Sequence, residues 1–150
     1  MTRLLSALLL ILVVPRPSAA QAADTTFPIV RLPDRVMREL GCATGSLDPL
    51  TSPYGGALLV DSVETPPRPV EVGPARQTPE ALIGRSAAIR FRFVVDTSGS
   101  IEPCSMRLVS ASDERFIESA ALIAREGRFA PGRNRGQKVR VIVEQNITFN

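Results

Sequence analysis

The segment that decides the fold is Ala87–Ile101, AAIRFRFVVDTSGSI. Every second residue at its start is apolar, in the order Ala87, Ile89, Phe91, Phe93 and Val95. This period of two predicts a β-strand with one buried face. Asp96–Ser100 is rich in turn-forming residues, and Gly99 can adopt the positive φ of a short hairpin loop. The segment therefore predicts a strand, a turn and a second strand from Ile101 to about Val109.

A helix is predicted after the second strand. Ser112 is the expected N-cap, the first turn carries acidic residues, the last turn carries Arg125, and Gly127 ends the helix. The apolar stripe that would face the sheet consists of Phe116, Ile117, Ala120, Ala121, Ile123 and Ala124. Pro103 cannot donate a backbone hydrogen bond, so the second strand should lie at an edge or contain a bulge.

The last strand follows a basic loop bounded by Pro131 and Gly136. One face of this strand carries Val139, Val141, Val143, Ile147 and Phe149, and the other carries Lys138, Arg140, Glu144, Asn146 and Thr148. The element order is therefore β-β-α-β. It predicts an α+β domain in which one helix packs on a face of a small antiparallel sheet.

The first 22 residues are predicted to be a signal peptide. Arg3 gives a positive start, Leu4–Val14 is apolar, and Ala20-Gln21-Ala22 is an A-x-A cleavage site. The apolar run is well short of the roughly 20 residues that span a bilayer. Export is therefore expected, and anchoring by an uncleaved signal is the alternative. Loss of Arg3 and Arg16 lowers the 18 basic residues to 16, against 15 acidic ones.

Residues 23–76 are predicted to be an N-terminal extension that ends in a Pro-rich linker. Pro33–Leu40 can form a short helix ended by Gly41, and Ala57–Val63 can form an isolated strand. The prolines of the linker are Pro66, Pro67, Pro69 and Pro74, and they predict a stiff extended chain.

The chain contains two cysteines, Cys42 and Cys104. A disulfide is expected between them because an exported chain meets an oxidising compartment. Two buried free thiols are the alternative. A bond would tie the extension to the main domain.

The sequence excludes several catalytic classes. It contains no His, so no Ser-His-Asp triad can form and the usual ligand of catalytic zinc is missing. Asp96-Thr97 resembles the start of an aspartic protease loop, but Ser98 stands where Gly is required, and Val63 does the same after Asp61-Ser62. A non-enzymatic protein without cofactor or metal is therefore predicted.

Residues 77–150 resemble the C-terminal domain of the TonB family. The motifs that carry this resemblance are Gln77-Thr78-Pro79, Ser98-Gly99-x-Ile101, Val109-Ser110-x-Ser112, Ala120-Ala121-Leu122, Arg128-Phe129-x-Pro131-Gly132, Gly136, and a last strand ending in Ile147-x-Phe149. The chain departs from the family at Thr78, Ala87 and Gly127, where Tyr, Gly and an aromatic residue are usual. It also has a short signal, no His and a short spacer, so coupling to the proton-motive force by this chain alone is not expected.

The resemblance implies a periplasmic binding module. Its partner would be a periplasm-facing segment of an outer-membrane transporter or of another envelope protein, which adds a strand beside the last strand. The contact residues that it implies are Gln77, Arg140, Ile142, Glu144 and Asn146. An open edge also permits a strand-paired homodimer. No nucleic-acid partner is predicted.

Two other functions fit the sequence. The protein can be a structural envelope component whose basic segment Arg128–Arg140 holds anionic glycan or lipid groups. It can also be an accessory subunit of an envelope complex, with the extension as its docking surface.

Overall fold

The computed structural model describes residues 30–43, 54–71 and 82–150. The signal peptide predicted for residues 1–22 and the family motif that begins at Gln77 lie outside these ranges. Of the described residues, no helix is both long and apolar enough to cross a membrane.

A four-stranded sheet is the centre of the fold. Its strands in chain order are β1 (Leu58–Leu59), β3 (Ala87–Val95), β4 (Ile101–Ala111) and β8 (Val141–Phe149), and their spatial order is β1-β8-β3-β4. The β3 strand is antiparallel to both β4 and β8. The helix α2 (Ile117–Glu126) packs on one face, which confirms the predicted α+β fold.

Strand β3 has the alternation that its sequence predicts. Its odd-numbered residues from Ala87 to Val95 are buried in the core with α2 and with Phe149. Phe116, just before α2, lies 4.8 Å from Phe149 between ring centroids. On the edge strand β4, the pairing register with β3 shifts between Arg92 and Val94, close to Pro103. Both predictions for Pro103, an edge position and an irregular register, are confirmed.

The turn between β3 and β4 is a hairpin loop closed by Asp96. Its carboxylate accepts hydrogen bonds from the backbone N–H groups of Ser98 and Ser100 at 2.7 and 3.0 Å, and from the Ser98 hydroxyl at 2.6 Å. Gly99 has a φ of 88°. The carboxylate that could be mistaken for a catalytic group therefore stabilises a turn.

The start of the helix differs from the prediction. Asp113, not Ser112, is the capping residue, because its carboxylate accepts from the Arg115 N–H and begins a 3-10 turn, Glu114–Phe116, before α2. The Ser112 hydroxyl instead accepts from the backbone N–H of Ala88. Ser112 therefore closes the open end of the β3–β4 hairpin.

The extension packs on the domain. Its helix α1 (Asp34–Glu39) confirms the helix predicted for this segment, and it buries Val36 and Met37 in the core. Arg35 pairs with Glu118 of α2. Cys42 and Cys104 form a disulfide, as predicted, which joins the end of this segment to β4.

The second half of the extension also pairs with the domain. The strand predicted over Ala57–Val63 is reduced to β1 and a 3-10 turn, Val60–Ser62, and β1 runs parallel to β8. Within the Pro-rich stretch, β2 (Arg68–Glu71) pairs with β5 (Arg128–Ala130). The described part of this stretch is extended, as predicted, but it does not run free of the domain. The basic loop contains a hairpin of β6 (Gly132–Asn134) and β7 (Gln137–Val139).

The extension around Tyr54 covers part of the sheet face opposite α2. Tyr54 is 8% exposed, and desolvation by this burial raises its pKa. The positive charges of Arg92 and Arg107 act in the opposite direction and lower the pKa, but by less. Arg107 is itself buried, and its Nη1 donates to the backbone carbonyls of Cys104 and Met106 at 2.9 and 2.7 Å. The face opposite α2 is therefore covered only in part, and Arg90 and Asn146 are exposed on it.

Candidate partner-binding edge

Strand β8 has one fully paired side and one side that is paired only at its start. On the first side all nine residues pair with β3, from Val141 to Phe149. On the second side Leu58 and Leu59 lie opposite Val141 and Ile142. Of the described residues, none pairs with this side of β8 beyond Ile142. Backbone groups from residue 143 onward therefore form an edge that a further strand can join.

The hydrogen bond between β1 and β8 shows which backbone groups face this edge. The Leu58 N–H donates to the Arg140 carbonyl at 3.0 Å, so Arg140 directs its backbone towards β1. Successive residues of a strand direct their N–H and C=O groups to opposite sides. The open edge therefore presents the backbone groups of Glu144, Asn146 and Thr148.

Arg140 lies where β1 and β8 meet, and its side chain is already bonded within the chain. Its Nε and Nη2 donate to the two carboxylate oxygens of Glu102 at 2.6 Å each, and Nη1 donates to the Gly55 carbonyl at 2.6 Å. The hydrogen bond to Glu102 raises the pKa of Arg140. This side chain therefore joins β8, β4 and the extension.

Glu144 is also paired within the sheet. Its Oε1 accepts from Nε of Arg92 on β3 at 2.9 Å, and this hydrogen bond raises the pKa of Arg92. The two residues are direct neighbours across the strands and lie on the face opposite α2. The Oε2 atom of Glu144 takes no part in this bond, so the carboxylate keeps one oxygen for another donor.

The other predicted contact residues are placed differently. Ile142 is half-buried between Val94 of β3 and Leu59 of β1. Asn146 is exposed and lies opposite Arg90. Gln77 lies outside the described residues. The structure thus brings Arg140, Ile142, Glu144 and Asn146 to one strand, with the backbones of the last two at the open edge.

A groove that the sequence did not predict lies beside the start of this edge. It has a volume of about 660 Å³ and is lined by Leu59, Val60, Asp61, Arg92, Ile142, Val143 and Glu144. Three of its seven lining residues belong to the extension. The available sequence signal was the short apolar run Leu58–Val60 within a polar, Pro-rich segment.

The described residues offer no group of three or more His, Cys, Asp or Glu side chains that could hold a metal ion. A helix-backed sheet with an open edge is an architecture to which an extended peptide can add as a further strand.

Comparison with known families agrees with this architecture. Residues 80–150 match the family described as Gram-negative bacterial TonB protein C-terminal, and this segment of the chain is a TonB C-terminal family domain. The family is a non-catalytic protein-interaction domain, typically periplasmic, and its members interact with outer-membrane transporters. The matching segment is similar to the C-terminal domains of proteins related to envelope transport. No curated protein matches it.

Proposed function

We propose that this protein is a periplasmic binding module that engages a segment of an outer-membrane transporter, or of another envelope protein, by β-strand addition at β8. The observation that carries the proposal is the side of β8 with which no described residue pairs beyond Ile142. An extended partner segment would continue the sheet at the point where β1 leaves it.

The affinity of such a complex would come mainly from the backbone of β8. The N–H and C=O groups of Glu144, Asn146 and Thr148 are available as donors and acceptors, as derived above. Each net hydrogen bond contributes about 1 kcal/mol, so several are needed for a stable complex. The rigid backing by β3 and α2 supports the proposal because the edge is already in the extended conformation.

Two substitutions at Asn146 test the proposal. Asn146→Pro removes an outward N–H and places a ring against the incoming strand, whereas Asn146→Ala keeps the N–H. An exposed edge position tolerates proline when its N–H has no partner within the fold. Synthetic peptides of about ten residues, a typical strand length, would be tiled over the periplasm-facing segments of the host's outer-membrane transporters, and their binding measured by calorimetry.

We expect Asn146→Pro to weaken binding about tenfold or more, and Asn146→Ala to change it less than threefold. Circular dichroism and thermal unfolding establish that both variants remain folded. If a folded Asn146→Pro protein bound the peptides like wild type, strand addition at this edge would be wrong.

The same edge can pair with a second copy of the chain. A homodimer formed through β8 would compete with a partner segment for the backbone groups of Asn146 and its neighbours. Sedimentation of the wild-type protein and of Asn146→Pro measures this state. A dimer that Asn146→Pro converts to a monomer would place the shared interface at β8, and partner peptides would then dissociate it.

One observation favours the second candidate function, binding of anionic envelope groups. Arg133 on β6 lies directly opposite Lys138 on β7, and Arg135 in the turn between them has a φ of 50°. Like charges opposite each other and a positive φ at a non-Gly residue are both unfavourable. A requirement for positive charge at this hairpin explains why cationic residues stand there.

Sedimentation with cell-wall sacculi and with anionic lipid vesicles at increasing salt tests this second function. Neutralisation of Arg133 and Arg135 to Gln should abolish binding, while Arg38→Gln, on exposed α1, should not. Binding that persists at high salt, or is equal in the two variants, would exclude the hairpin as the binding element.

A further inference from the structure

The groove beside β8 has an apolar floor and an acidic rim. Leu59 and Val60 are 61% and 41% exposed, and Ile142 lines the groove beside them. Asp61 and Glu144 contribute carboxylates to the wall. An aliphatic chain therefore finds apolar contact here, and a positive group at its end finds negative charge.

The charge of the groove is not balanced within the described part of the chain. Arg92 lines the groove and pairs with Oε1 of Glu144. Asp61 makes no ion pair or side-chain hydrogen bond with the described residues, and Glu144 Oε2 accepts no hydrogen bond from them. With two carboxylates and one guanidinium, the groove carries one net negative charge and has free acceptor atoms.

The groove also lies in line with the proposed binding edge. The 3-10 turn Val60–Ser62 follows β1 directly and stays close to β8 without pairing with it. Glu144 lines the groove, and its backbone groups are the first that face the open edge. A strand added along β8 would therefore pass the mouth of the groove with its first paired residues.

We infer that this groove receives a lysine or arginine side chain of the partner strand, with its aliphatic stem against Leu59 and Val60 and its cation between Asp61 and Glu144. The inference rests on the proposed strand addition and specifies which partner segments are selected. Because Leu59, Val60 and Asp61 belong to the extension, the extension supplies three of the four residues that contact this side chain. The domain alone would bind strands with less discrimination.

A peptide array on which the unmodified wild-type protein is probed can test this assignment. The probes are ten-residue peptides of alternating Thr and Val, a pattern suited to strands, in which each position is replaced in turn by Lys, Arg, Leu or Glu. Wild type is compared with Asp61→Asn, which keeps the shape of the side chain and removes its charge. Ser62→Ala is the matched control, because it alters the neighbouring exposed residue and does not line the groove.

We expect one position at which Lys or Arg binds about fivefold tighter than Leu or Glu, the range of a partly exposed ion pair. Asp61→Asn should reduce this preference to less than about twofold, Ser62→Ala should retain it, and added salt should weaken it. Asp61→Lys should reverse it in favour of Glu at the same position.

Two outcomes would overturn the inference. Peptides that bind without a basic preference, or with a preference that Asp61→Asn leaves unchanged, would show that the groove does not select a cation, while strand addition would stand. Absence of binding by every peptide, transporter segments included, would overturn the proposed function and this inference together. If Asn146→Pro lost peptide binding and wild type preferred Lys or Arg at one position, both strand addition at β8 and cation selection by the groove would be supported.

Discussion

Arg140 and Glu102 form a two-pronged ion pair between the beginning of β8 and the beginning of β4, with both N···O distances at 2.6 Å. The remaining terminal nitrogen of Arg140, Nη1, donates a hydrogen bond to the Gly55 carbonyl of the extension. A residue expected to contact a partner therefore also fastens three segments of the protein. Its substitution will affect stability as well as binding, so the two effects have to be measured separately.

Replacement of Arg140 by Lys is expected to destabilise the fold by about 1 kcal/mol, because an ammonium group cannot reproduce the planar fork. A double-mutant cycle of Arg140→Ala and Glu102→Ala should give a coupling energy of about 0.5–1 kcal/mol, since both side chains are one-third exposed and solvent screens the pair. Urea unfolding measures these values. A coupling energy of zero would mean that the arginine acts only through Gly55.

Removal of the disulfide is expected to cost about 2–4 kcal/mol, because Cys42 and Cys104 are 62 residues apart and the bond restricts a long loop of the unfolded chain. The variant is Cys42→Ser combined with Cys104→Ser, and denaturant unfolding measures its stability. Wild-type protein with a reductant should show the same loss. Equal stability of oxidised and reduced protein would contradict the expectation.

Gly99→Ala is expected to be among the most damaging single substitutions in the hairpin. A Cβ at this position would lie 1.9 Å from the Phe129 carbonyl oxygen, and φ is 88°. Gly84→Ala is the matched control, because Gly84 has a φ of 77° and no atom within 4 Å of the added Cβ. Thermal unfolding should give about 1 kcal/mol for Gly84→Ala and at least about 2 kcal/mol more for Gly99→Ala. Similar losses would show that the strand β5 moves aside easily.

Acid should weaken the turn at Asp96. Desolvation would raise the pKa of this carboxyl group, but the hydrogen bonds from Ser98, Ser100 and Gly99 together lower it below its ordinary value of 3.8. A lowered pKa in the folded state stabilises the protein above that ordinary value, and the contribution is lost as the pH falls through the folded-state pKa. The free-energy difference between wild type and Asp96→Asn should therefore be constant from pH 5 to 7 and shrink below about pH 3.8. If this free-energy difference did not change with pH, the charge of Asp96 would not contribute to the stability of the turn.

The sequence predicted the elements whose signals are local. The alternation from Ala87 to Val95, the turn at Gly99 and the apolar stripe of α2 all depend on neighbours within a few residues, and the structure has each of them. The sequence favours Ser112 as the cap because Asp113 and Glu114 would then occupy the first turn of the helix. Only the fold shows that the Ser112 hydroxyl is used by Ala88, which lies 24 residues earlier.

The features that sequence reasoning missed depend on distant partners. The Pro-rich stretch has no periodic apolar signal and is therefore interpreted as a spacer from sequence. In the structure its strand β2 pairs with Arg128–Ala130, although all four residues of β2 are exposed. The internal partners of Arg140 and Glu144 lie 38 and 52 residues away. Arg107 is 1% exposed in a strand position that an arginine seldom occupies. None of these contacts has a local pattern that could be read beforehand.

The bond between Cys42 and Cys104 also constrains the order in which parts of the chain can fold during synthesis. Synthesis runs from the N-terminus, so α1 and Cys42 are made before Cys104, which follows 62 residues later. Until β4 and α2 have followed, Leu32, Val36 and Met37 have no core to enter. The nascent extension therefore carries uncovered apolar side chains and a free thiol until β4 and α2 have been made, and it reaches its final place only when the domain behind it is complete.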